Sequence, residues 1–275
     1  MIKIGCNYLS FKGAANELSV EDFIRMSYDL RLDTIDFHHR AFTSSDPAYL
    51  LKIKRMCLDY GLPIGYVGVA AGGTGTVEER LRERVKQSKA AIDDSVHLGA
   101  PLIRVFGFSA EQSDPNRDAL FTALANAFRE ICEYGADKGV VVALQNHNNR
   151  NLAADAEGVL RILREVDHPN MAYIMDTGQW KNFYGSSGTP NPTDDGYKYM
   201  EQVMPYACYV RTKFYEVASG VEKRLDYERI MPILKKNKFN GSISIVYEGA
   251  EPGDRVEIIR KSAAHLRKLI VKHSM

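Results

Sequence analysis

The sequence predicts a (βα)8 TIM barrel, α/β in class and built as one unit over residues 1–275. Three observations lead there. Strand-like and helix-like segments alternate from end to end, eight of each. The strand-like segments are short, apolar and rich in Val and Ile, which suits strands buried on both faces of a parallel sheet. The length, 275 residues, is close to the roughly 250 that such a barrel uses.

The elements follow in order. Ile2–Cys6 is the first strand, and Ser19 is placed to cap a helix beginning at Val20-Glu21-Asp22. Thr34–Phe37 and Pro63–Val69 are the second and third strands, with Gly61 ending the helix between them. Leu81, Val85, Ile92 and Val96 share one face of the next helix, which Gly99 ends before the strand Leu102–Phe106. Leu120, Leu124, Phe128 and Ile131 mark another amphipathic helix, closed by Gly139 ahead of Val140–Gln145. Ala172–Asp176, Cys208–Lys213 and Ser242–Glu248 complete the strands. Asp226 caps the helix before the last of them, and Ile259, Ala263, Leu266 and Ile270 stripe the final helix. A doubly wound open sheet would want a Gly-rich turn after the first strand, and Cys6-Asn7-Tyr8-Leu9-Ser10 has none.

Composition narrows the function. Lys plus Arg total 36 against 35 Asp plus Glu, a net charge of +1, which argues against a nucleic-acid partner. No window approaches the about 18 apolar residues of a membrane span, and the N-terminus carries no secretory signal. Cys6, Cys57, Cys132 and Cys208 are far apart and form no CxxC. Interior thiols in a reduced, cytoplasmic protein are the expectation. Two loops, 71–76 and 184–196, follow the third and sixth strands and are candidate lids. The Gly72–Thr76 stretch is also a candidate phosphate site at a helix N-terminus.

Polar residues gather at the C-terminal strand ends, where barrel active sites are built. Gln145, Asn146 and His147 end the fifth strand, and Asp176 ends the sixth. Arg211 and Lys213 lie in the seventh, Glu248 ends the eighth, and His38 and His39 end the second. Side chains two apart share a face, so Gln145 and His147 point together, as do Arg211 and Lys213. Charges crowded at one mouth are costly unless they pair or bind something. Trp180, four residues after Asp176, is read equally as an apolar platform for a sugar face or as loop packing. Arg104, inside the fourth strand, is a substrate-binding candidate whose alternative is a structural pairing low in the barrel.

The chain resembles the sugar phosphate isomerase/epimerase family, the xylose isomerase-like barrels. The pieces that carry the resemblance are Leu102–Gly107, Ala143–His147, Met175–Trp180, Asp226–Ile230 and Ser244–Gly249, in order across the whole length. It implies proton abstraction next to a carbonyl of a sugar, around one divalent metal such as Mn, Mg, Co or Zn. The family's ligands are a Glu, an Asp, a His and a Glu. Carried over residue by residue, they fall on Gln145, Asp176, Arg211 and Glu248; the Lys that commonly follows the His is Lys213, and the His after the first Glu is His147.

Two of the four ligand types are therefore changed. Gln145 is a neutral, weaker ligand, and a guanidinium has no lone pair to give. No metal is the favoured expectation; Asp176, Glu248 and Gln145 would hold one if it bound. Two carboxylates, one Gln and one guanidinium sum to −1, the balance that three carboxylates, a His and a dication reach. Arg211 is therefore expected to sit between Asp176 and Glu248 and take over part of the ion's role. Gln145 cannot act as a base, which disfavours a symmetric two-carboxylate epimerisation.

Glu248 is left as general base, with Lys213 or His147 as acid or oxyanion donor. Asp176, Gln145, Trp180, Arg104 and His38 are the substrate-binding candidates. Aldose–ketose isomerisation, epimerisation or elimination from a keto sugar are the reactions expected, on a small-molecule sugar. The alternative is a barrel without catalysis that binds a carbohydrate or a protein partner. An endonuclease IV-like phosphodiesterase would need a His-rich metal cluster that seven His in all hardly supply. Barrels of this kind often pair, so a homodimer is a possible assembly.

Overall fold

A computed structural model describes residues 1–11, 18–70, 74–110, 114–148, 150–183 and 193–275. Eight parallel strands close into a barrel in chain order. They are β1 (Lys3–Asn7), β2 (Thr34–His38), β3 (Ile64–Gly68), β4 (Leu102–Phe106), β5 (Val141–Gln145), β6 (Met171–Asp176), β7 (Ala207–Phe214) and β8 (Ser242–Tyr247). The helices are α1 (Val20–Asp29), α2 (Pro47–Asp59), α3 (Val77–Leu98), α4 (Arg117–Lys138), α5 (Ala156–Val166), α6 (Asp195–Val203), α7 (Tyr227–Lys236) and α8 (Arg255–Lys272). Every strand proposed from the sequence is present, with no end moved by more than one residue. Glu248 lies just past β8 rather than inside it.

The local signals act as expected. Ser19 and Asp226 accept backbone N–H groups at the starts of α1 and α7. Gly99 and Gly139 end α3 and α4 in the left-handed conformation, which costs glycine little. The main core lies between strands and helices. A second small cluster, Tyr66, Leu102, Ala143, Ile174 and Tyr209, packs together on neighbouring strands.

Three expectations change. Cys6, Cys57 and Cys132 are interior thiols, whereas Cys208 is exposed, because it sits at the start of β7 where that strand enters the sheet. The face α3 buries runs through Arg84, Ser88, Ala91, Ile92, Ser95 and Leu98, so of the expected stripe Ile92 is buried and Val96 is exposed. Leu81 and Val85 instead line an open groove shared with Ala123 and Ala127 of α4. Finally, Thr76 caps α3 in a reciprocal box with Glu79, so the protein's own side chains already hold that helix N-terminus. Residues 71–73 and 184–192 lie outside the described residues, and with them the lid readings of both loops. No helix among the described residues is long and apolar enough to cross a membrane.

Candidate active site

Strand register brings the site together. Arg211 on β7 stands opposite Asp176 on β6 and Ser244 on β8. Asp176 is fully buried. Its Oδ1 accepts the backbone N–H groups of Gly178 (3.0 Å) and Gln179 (3.1 Å), which turns the chain tightly after β6. Its Oδ2 accepts from Arg211 Nε at 3.1 Å and from Gln145 Nε2 at 3.1 Å, and Lys213 Nζ stands 3.7 Å away. Lys213 also donates to Glu248 Oε1, and Gln179 Nε2 donates to Glu248 Oε2 at 3.0 Å.

Depth separates the two cations. Arg211 precedes Lys213 by two residues, about 6.6 Å along a strand, so it lies one layer deeper. There its Nη1 donates to the Tyr66 hydroxyl, which also accepts from Asn7 Nδ2 at 2.9 Å. The expected placement of Arg211 between Asp176 and Glu248 is therefore corrected: Lys213 bridges the two carboxylates, and Arg211 supports Asp176 from below. Asp176, Glu248, Gln145 and Arg211 sum to −1, and the bridging Lys213 brings the cluster to zero.

The electrostatics follow from this packing. Burial works against the Arg211 charge, but Tyr66, Asp176 and Glu248 raise its pKa above the usual value. Burial also pushes against ionised Glu248, yet Lys213, Arg211 and His147 hold its carboxyl below its ordinary range. Glu248 is the accessible member, its side chain 43% exposed against 1% for Lys213. Burial, then the Lys213 charge, lowers the His147 pKa and favours the neutral ring. That ring meets Phe106 edge-on, centroids 4.8 Å apart.

The remaining candidates are placed as follows. Trp180 is fully buried and packs against Tyr199, ring centroids 5.8 Å apart, which is the packing alternative rather than an open platform. Arg104 is buried in β4 with its guanidinium 4.0 Å from the Phe106 ring centroid, and Nη1 donates to the Val69 carbonyl at 3.2 Å. Burial and the Arg211 charge lower it to about 9. His38 ends β2, accepts the Arg40 N–H at 3.2 Å and stacks on His39.

Several supporting residues were given no role by sequence reasoning, although Asn146 was named at the end of the fifth strand. Asn146, fully buried, donates to the carbonyls of Asp176 and Gln179 and accepts from Tyr173 Oη and the Asp176 N–H. Gln179 was visible within the Met175–Trp180 piece. Gly178 is needed where the chain crosses Lys213, since a Cβ there would lie 2.8 Å from Lys213 Cγ. Asp36, a charge in the middle of a short strand, was the available signal for a buried carboxylate. It accepts from Tyr209 Oη at 2.8 Å.

Burial pushes Asp36 from 3.8 up to about 7, against the opposing pull of the Ser244 and Tyr209 hydroxyls and Arg211. The folded protein thus holds this proton more tightly than the unfolded chain. The associated stability is full below the unfolded value and lost as pH rises through the folded one, on the order of 4 kcal/mol in all. Asp36→Asn, which keeps an acceptor for Tyr209, is expected to gain on the wild type between about pH 5 and pH 8. Urea midpoints at the two pH values check it; an unchanged difference would show that Asp36 does not titrate there.

A divalent metal is tested by the donor chemistry. Asp176 is bonded to a guanidinium, Lys213 spans Asp176 and Glu248, and Gln145 turns its amide N–H toward Asp176. No group of three His, Cys, Asp or Glu suited to an ion occurs among the described residues. The residues present do not fit such an ion, because Lys213 already spans Asp176 and Glu248 and Arg211 occupies Asp176 where a ligand with a lone pair would be needed.

A family model described as xylose isomerase-like TIM barrel matches residues 28–269. Several solved structures share the fold. An L-ribulose 3-epimerase superposes with a TM-score of 0.79 at 16% identity, covering 100% of this chain and 96% of that one. A D-allulose 3-epimerase from Methylomonas sp. gives 0.75 at 18%, covering 98% of each. A 3-keto-D-glucoside 4-epimerase from E. coli gives 0.72 at 18%, covering 98% of this chain and 100% of that one. No curated protein matches.

Proposed function

The chain belongs to the xylose isomerase-like TIM barrel family, and from that premise we propose that it moves a proton at a carbon next to the carbonyl of a small sugar. The observation that carries this reading is the pairing of an accessible carboxylate, Glu248, with the buried ammonium of Lys213. Glu248 takes the proton as the C–H electrons shift to the carbonyl oxygen. Lys213, held in place by Asp176, stabilises the enediolate oxygen that forms. The same carboxyl then returns the proton at the neighbouring carbon while the hydroxyl proton there passes to the enediolate oxygen, which is one-base isomerisation, or a β-substituent leaves with the proton that Glu248 took. The sugar epimerases that share the fold support a sugar substrate. Gln145, buried beneath the site, supplies no second base.

In this reading Arg211 and Lys213 supply the positive charge that the family resemblance assigns to a divalent ion. Exchange of a ketose C–H proton into deuterated water is therefore expected to survive dialysis against EDTA unchanged, followed by proton NMR. Elemental analysis after growth in excess Mn or Zn provides the second arm. A stoichiometric ion bound through Asp176 and Glu248, with exchange lost on chelation, would sink the proposal. Binding of ketoses and keto-glycosides with no exchange would point to a non-catalytic barrel.

A further inference from the structure

We infer that Arg80 and Arg84 form a binding site for an oxyanion, the carboxylate or phosphate group of a substrate whose carbonyl end lies at Glu248. The inference rests on the proposed function for that second end of the ligand and on its own observations for the anion. α3 carries the two arginines four residues apart near its N-terminal end. Cations are repelled by that end of a helix, and like charges at this spacing repel each other. Neither is relieved by an acid: among the described residues, no carboxylate contacts Arg80 or Arg84. Two other helix arginines, by contrast, pair with carboxylates, Arg82 with Glu78 and Arg229 with Asp194. Of the acids next to them in sequence, Glu79 is committed to the Thr76 N–H and Glu83 accepts from Gln87.

The Arg84 side chain is nearly inaccessible, at 3% exposure. Its one hydrogen bond runs from Nη1 to the Phe106 carbonyl, and its Nε–H has no partner. The Nε–H of Arg80 is likewise buried without one. Unpaired buried donors are rare in folded proteins, and a charged one is the more costly. Burial and the Arg80 charge bring Arg84 down to about 10, the direction expected of a cation lacking its counterion. The two guanidinium groups converge on one ring: Arg80 lies 4.3 Å and Arg84 5.9 Å from the centroid of Phe108. Guanidinium forks match the paired oxygens of a carboxylate or phosphate.

The location ties this pair to the mouth. Phe106 ends β4, on the catalytic side of the barrel. Its carbonyl receives Arg84, while its ring meets His147. Glu248 follows β8, on the far side of the closed barrel from β4, so a ligand held by Arg84 with its carbonyl end at Glu248 would span the barrel mouth.

Inorganic phosphate is the direct probe. Titrated into the intact protein at low ionic strength and followed by phosphorus NMR line width, it is expected to bind saturably. Arg80→Gln removes a half-buried side chain that makes no hydrogen bond to the barrel, so it tests the site with the least risk to folding. It is expected to weaken phosphate about tenfold. Arg84→Gln is expected to weaken it further. Acetate competition separates the sources: displacement of phosphate by acetate assigns a carboxylate ligand, and its failure assigns a phosphate. Wild type that does not saturate with phosphate, or Arg80→Gln that binds it as tightly as wild type, overturns the inference. Deuterium exchange on a neutral ketose reports separately on the proposed function, so loss of that reading would leave phosphate binding in place.

Discussion

Glu248→Gln is expected to lower C–H exchange into deuterated water by about 10²- to 10⁴-fold, the range a positioned general base contributes. Glutamine keeps the size of the side chain and one oxygen for Lys213, while its amide N–H replaces the acceptor of Gln179, whose own unpartnered Oε1 can turn to receive it, so the fold stays intact. What is lost is the lone pair that takes the proton. The pH profile of the wild type should agree. Against the penalty of burial, Lys213, Arg211 and His147 hold the Glu248 carboxyl below its ordinary range, so exchange should persist to lower pH than an unperturbed glutamate allows. Proton NMR of a ketose incubated in deuterated buffer measures both. Exchange retained in Glu248→Gln within a factor of about two would remove this residue as the base.

Arg211→Met is expected to cost the fold about 3–5 kcal/mol, read as a lower urea midpoint. Arg211 is 3% exposed and donates to Asp176, which is fully buried. Removing the guanidinium leaves that carboxylate with Gln145 and a Lys213 ammonium 3.7 Å away, and leaves the Tyr66 hydroxyl without its charged donor. Most of the cost is the uncompensated charge. Adding Asp176→Asn to Arg211→Met should therefore recover part of the loss, an interaction that a double-mutant cycle isolates. A single-variant cost under about 1 kcal/mol would mean that Arg211 does not neutralise Asp176.

The corrected position of Arg211 shows why residue types alone mislead at such a site. Gln145, Asp176, Arg211, Lys213 and Glu248 were all named from strand ends, because a charge at the end of an apolar run is a local signal. Which of them bond is set by depth. Arg211 and Lys213 share a face, but a rise of two residues puts one against Tyr66 and the other against Glu248. Tyr66 and Asp36 were harder to see for the same reason. Each lies inside a short strand, and only closure of the barrel turns the tyrosine hydroxyl toward Arg211 and the carboxylate toward Tyr209. Arg84 was hidden by the opposite error: the apolar stripe of α3 marked only part of the buried face, Ile92 within it, and the helix is rotated so that an arginine also points inward.

The order of strands and helices, their capping residues and the strand ends that carry the chemistry are properties of short stretches of chain. Apolar spacing and cap residues express them without reference to distant neighbours, so reading along the chain was enough to obtain them. Partner choice among Asp176, Arg211, Lys213 and Glu248, the burial of Asp36 and the orientation of Arg84 came only with the closed barrel. Those depend on strand stagger and helix rotation, which bring together groups as far apart in sequence as Tyr66 and Arg211, and no local pattern encodes contacts at that separation.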